Sequence, residues 1–169
     1  MARYRNFDGA LGASTDTQAM NPALDDVRLR RAGLKAALSD LELALAAPFA
    51  NRVDWVMHVR DALGGVHEVW TRHIVATEAP GAFLDELVTE SPRLSTPASR
   101  LRRDHSDILG TIVRAQTALA TAPDDDTYVA WAEDVRVDLT ALLAALARHR
   151  QRGADLVYEA YAVDLGGGY

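Results

Sequence analysis

The sequence predicts an all-α protein, an up-and-down four-helix bundle built from two duplicated helical hairpins. Three observations predict it. Apolar residues return at helical spacing along four long stretches. Two of those stretches repeat the other two. Pro, Gly and Asp punctuate the chain where the stretches end. A duplicated helical hairpin closes most simply into a four-helix bundle with a dry central seam.

Residues 1–20 are rich in Gly, Ser, Thr, Asp and Ala and show no helical period, so a flexible N-terminal tail is expected. Asn21-Pro22 reads as a helix start, with Asn as cap and Pro in the first turn. The first helix is expected to end near Ala47, before Pro48. Its stripe is Val27, Leu34, Leu38, Leu41 and Leu45.

Asn51 caps the second helix, expected over residues 52–78. Its stripe is Trp55, Val59, Leu63 or Ala62, Val66, Trp70, His73 and Thr77. Gly64 and Gly65 cost this helix about 1 kcal/mol each relative to Ala, which implies a packing reason for them. A short extra helix fits residues 81–89, followed by a crossover to Pro97. The third helix is expected over residues 97–121, with Leu101, His105, Ile108, Ile112 or Val113, Ala115 and Leu119 inward. Acids at Asp124, Asp125 and Asp126 suit the N-terminus of a fourth helix over residues 127–162. Its stripe passes through Trp131 or Val135, then Leu139, Leu142, Leu146, His149, Gly153, Leu156 and Ala160. The bundle thus occupies residues 21–165, and residues 166–169 are a Gly-rich C-terminus.

The duplication is specific. Arg28-Leu29-Arg30-Arg31 recurs as Arg100-Leu101-Arg102-Arg103. One constant shift carries Trp55 onto Trp131, Val59-Arg60 onto Val135-Arg136, Leu63 onto Leu139 and Arg72-His73 onto Arg148-His149. His73 and His149 are therefore one position of the repeat, whereas His105 falls opposite Gly33.

Composition narrows the function. The chain has 169 residues, 49% of them apolar, which is enough for one domain with a core. Acids outnumber bases 24 to 18, so no nucleic-acid partner is expected. The absence of cysteine excludes disulfides, thiolate catalysis and zinc–thiolate sites. No apolar run approaches the ~20 residues of a membrane span, and the N-terminus lacks the order of a signal peptide. A cytoplasmic protein with no membrane partner is expected, as a monomer or a homodimer.

Three inward histidines on three helices then stand out. A buried imidazole must satisfy both ring nitrogens or cost stability. One such residue is ordinarily a hydrogen-bonded core histidine. Three on facing helices point to a metal site, because bundle cores are where such sites are built. His58 and His67 lie beside the stripe and are expected at the surface or rim. The clusters Arg28/Arg30/Arg31, Arg100/Arg102/Arg103 and Arg148/Arg150/Arg152 are expected on solvated faces paired with acids.

The pattern over residues 23–165 resembles the hemerythrin-like (HHE cation-binding) family, a duplicated four-helix bundle with a non-haem di-iron centre. The resemblance implies metal ligands at His73, His105 and His149, with Glu78 as the best carboxylate. The match is incomplete. Gly33 stands where the family has a histidine, and Thr77 and Gly153 stand where a carboxylate follows one turn after histidine. Asp155 points roughly 120° away from His149 in a regular helix. The implied cofactor is non-haem iron, mononuclear or an incomplete di-iron centre, with Mn or Zn as alternatives. The implied ligands are O2, peroxide or NO, for storage, sensing or detoxification. Whether the protein is an enzyme, and which residues would be catalytic, is left open. Gly33 and Gly153 are candidates for opening a pocket at the seam. Tyr158 and Glu159 are candidates for replacement ligands or proton donors beside the metal, against the plainer alternative of an aromatic lid. A metal-free bundle, serving as a small-ligand or protein-interaction module, is the alternative.

Overall fold

The computed structural model describes the backbone of residues 22–49 and 51–164 and the side chains of residues 32–49 and 51–160. The expected tail over residues 1–20, the Asn21 cap, the inward Val27, the first arginine cluster and the Gly-rich C-terminus lie outside what is described. Four long helices and one short one follow in order: α1 (Pro22–Ala46), α2 (Arg52–Glu78), α3 (Phe83–Glu90), α4 (Ser95–Ala120) and α5 (Tyr128–Asp164). A 3-10 turn, Pro92–Leu94, links α3 to α4. Helix α1 packs on α2, α2 on α4, α4 on α5 and α5 back on α1, which closes an up-and-down bundle.

Local chemistry accounts for the ends. The Asn51 side chain accepts from the Asp54 backbone N–H at 3.3 Å and caps α2. Gly81, with φ 72°, turns the chain out of α2, and few residues other than glycine adopt that conformation cheaply. The carboxylate of Asp125 accepts from the backbone N–H of Thr127 at 2.9 Å and from its hydroxyl at 2.6 Å, which shapes the entry to α5. Helix α4 begins two residues before the expected Pro97. Proline is tolerated there because a first-turn N–H has no partner inside the helix.

The predicted stripes form two separate apolar clusters. The larger joins Leu41, Leu45, Trp55, Val59, Leu63, Val66 and Trp70 to Ile108, Ile112, Leu139, Leu142 and Leu146. The smaller lies under α3, where Leu84, Leu87 and Leu94 cover Ala98, Leu101, Leu156 and Ala160. Each fully buried Leu contributes about 1.5–3 kcal/mol. Gly64 and Gly65 correct an expectation, for a Cβ added at either would meet nothing within 4 Å, so no close packing explains them. No helix among the described residues is long and apolar enough to cross a membrane.

Candidate metal centre

The three inward histidines occupy the layer between the two apolar clusters. On α4, His105 lies between Leu101 of the smaller cluster and Ile108 of the larger. On α5, His149 lies between Leu156 and Leu146. His73 follows Trp70, which belongs to the larger cluster. His105 and His149 are buried and His73 is half-buried. Helical periodicity carries all three to the seam, and antiparallel packing brings them to one level.

Their Nε2 atoms converge. Nε2 of His73 stands 3.2 Å from Nε2 of His149 and 3.2 Å from Nε2 of His105. One ligand atom from each ring lies within 4.8 Å of the others. A single ion bonded to imidazole nitrogens at about 2.0–2.1 Å spaces neighbouring nitrogens by roughly 2.9–3.4 Å, from octahedral to tetrahedral angles. The two 3.2 Å separations fit that range. Among the described residues these are the one group of three His, Asp or Glu side chains placed to hold a metal ion.

The outer face of each ring decides which nitrogen is offered. Nδ1 of His105 is bonded to the carboxylate of Glu78. A carboxylate oxygen accepts, so Nδ1 of His105 donates to Glu78 and Nε2 is the nitrogen turned to the centre. Glu78 is thus placed behind His105 and not among the converging atoms, where the sequence suggested it. The difference is one of position. Five residues beyond His73, near the end of α2, Glu78 reaches across to α4.

His149 is held differently. Its Nδ1 is buried and makes no hydrogen bond, and a carboxylate oxygen, Oδ2 of Asp104, lies 3.6 Å away. Asp104 is itself gripped through both oxygens by Nη1 of Arg152, each at 2.5 Å. Burial, followed by the neighbouring His105, lowers the pKa of His149 from 6.5 to about 4, with Asp104 pulling the other way. The ring is therefore neutral at pH 7, which is the form that binds a metal.

Trp70 forms the floor. It is fully buried, stacks on His73 with ring centroids 5.0 Å apart, and meets His105 and His149 edge-on at 5.4 and 5.0 Å. Its Nε1–H donates to the carbonyl of His105 at 3.4 Å, tying α2 to α4 beside the site.

The remaining sequence candidates lie elsewhere. Tyr158 is 75% exposed, and Glu159 faces Arg93 at 3.6 Å, so neither joins the histidine layer. A Cβ at Gly33 would meet Val69 at 4.0 Å, and one at Gly153 would meet nothing within 4 Å. Two open surface grooves, one of about 590 Å3 along Leu45, Arg136 and Leu143, include neither glycine. His58 is exposed and His67 half-buried. Arg102 pairs with Asp85 and Arg152 with Asp104, while Arg100, Arg103, Arg148 and Arg150 are exposed or at the rim. Sequence reasoning missed the roles of Asp104, Arg152 and Trp70. Only Trp70 left a signal, one turn before His73 on the same stripe. No protein-family model, no curated protein and no solved structure matches the chain.

Proposed function

We propose that the protein is a hemerythrin-like metal-binding bundle that holds one non-haem metal ion, iron first, on Nε2 of His73, His105 and His149. The observation that carries this reading is the convergence of three Nε2 atoms, from three helices, with His73 at 3.2 Å from each of the others, in a layer between two apolar clusters. Three protein ligands leave coordination positions open, as in metal sites that bind exogenous ligands. Bound iron would supply affinity for O2, peroxide or NO, and hence a role in binding, sensing or detoxification. The chain's own residues have simpler tasks. Glu78 accepts from Nδ1 of His105, Trp70 excludes water from one side, and the three Nε2 atoms turn inward.

Metal analysis of tag-free protein, with an optical spectrum before and after O2, peroxide and NO, tests the reading. The expected result is one metal ion per chain and ligand-dependent absorption of the iron form. Less than a tenth of an equivalent, with no binding after iron, manganese or zinc is added, would sink it. The bundle would then be a metal-free interaction module.

A further inference from the structure

We infer that Asp104, clamped by Arg152, is the positioning residue of His149: it receives the Nδ1–H of that ring when a metal occupies Nε2. The inference rests on the metal-binding reading and adds a residue that the ligand set does not contain.

Two observations carry it, and neither involves the ligand atoms. The first is an asymmetry. His105 has its outer nitrogen bonded to a carboxylate, whereas the outer nitrogen of His149 is buried with no hydrogen bond. A buried N–H left unpaired costs about 1–3 kcal/mol, so it is rarely left so. Among the described residues, the carboxylate placed for it is that of Asp104, whose Oδ2 stands at 3.6 Å, just beyond bonding distance. The second is how Asp104 is held. It projects from α4, beside His105, towards α5, and its side chain is only 18% exposed. Arg152, three residues beyond His149, takes both of its oxygens. Both contacts come from the one Nη1 atom, a charge-assisted hold that keeps the carboxylate turned towards α5. Its remaining lone pairs stay available to His149.

Metal at Nε2 requires the proton to sit on Nδ1. Closing a gap from 3.6 Å to a normal N–H···O distance of about 2.9 Å takes only a small shift of the ring or the carboxylate. Asp104 and Glu78 would then play equivalent parts behind His149 and His105. Outer partners of this kind change metal affinity by roughly 10–100-fold when removed.

Zinc serves as a diamagnetic probe. Its affinity is measured for the wild type, Asp104→Asn and Asp104→Glu, with the 15N signals of His149 and His105 recorded in each zinc-loaded protein. The expected result is a loss of roughly 10–100-fold in Asp104→Asn, restored in large part by Asp104→Glu. The His149 Nδ1–H signal moves or broadens in Asp104→Asn while the His105 signal, backed by Glu78, stays in place. A merely structural Asp104 would disturb both rings together, or neither. Wild-type affinity in Asp104→Asn, or equal changes at both rings, would overturn the inference alone. No zinc binding by the wild type would overturn the metal-binding reading, and this inference with it.

Discussion

His73 and His149 hold the same position in two repeated hairpins, and their Nε2 atoms face each other at 3.2 Å. The same relation recurs at the other end of the bundle. Trp55 and Trp131 are also repeat partners, and their rings meet edge to face with centroids 6.4 Å apart. The duplication therefore places like residues across the seam from each other. His105 breaks the symmetry, because its repeat partner is Gly33. A symmetric pair plus one extra imidazole makes a three-nitrogen set, which suits one ion better than two.

Removing a member of the set gives the first prediction. His105→Ala deletes one ligand and also leaves the Glu78 carboxylate without its donor. Metal content should fall below a tenth of an equivalent in His105→Ala. His58→Ala should keep it, because His58 is exposed. Full metal content in His105→Ala would remove that residue from the site.

Acid should destabilise the metal-free protein through His149. Its folded pKa is lowered to about 4 from 6.5, so the unfolded chain binds the extra proton more readily. Stability from this group is complete above about pH 6.5 and is lost as pH falls towards 4. The loss is on the order of 3 kcal/mol, at about 1.36 kcal/mol per pH unit. Urea unfolding of wild type and His149→Leu between about pH 4 and pH 8 isolates it from the carboxylates. Parallel pH profiles for the two proteins would contradict the assignment.

Trp70 should report the metal. Of three tryptophans, Trp70 is the one that touches the histidines, whereas Trp55 and Trp131 pack together at the far end. Iron or cobalt should quench the Trp70 part of the emission, and Trp70→Phe should abolish that response while leaving the far pair unaffected. Trp70→Phe also loses the hydrogen bond to the His105 carbonyl, costing about 0.5–1.5 kcal/mol. Quenching that survives Trp70→Phe would place the metal elsewhere.

What was legible in the sequence follows from periodicity. A stripe repeating at three and four residues shows which face of a helix is buried, and it put His73, His105 and His149 on the seam. The same rule leaves Tyr158, two residues past the buried Leu156, on the outer face, where the structure has it. A Tyr/Glu cluster near a histidine is chemically suggestive, but helical geometry overrules it. Periodicity does not give the axial level at which antiparallel helices meet. The reach of Glu78 to His105 and of Asp104 towards both His149 and Arg152 depends on that level, so no single-helix pattern announces them.

Gly153 supplies the last prediction. It lies one turn beyond His149 on the same face of α5, where the related pattern has a carboxylate, and a Cβ there meets nothing within 4 Å. A helical glycine without a packing reason weakens its helix, so Gly153→Ala should stabilise the protein by about 0.5–1 kcal/mol. Gly153→Glu has the same room for its first carbon and sets a carboxylate on the histidine face. It should tighten iron binding and shift the absorption of the loaded protein, since it adds an oxygen donor to three nitrogens. Gly153→Ala controls for the change in helix stability. If the two variants bind iron alike, the introduced carboxylate does not reach the centre, and the open space beside Gly153 faces away from the ligand nitrogens.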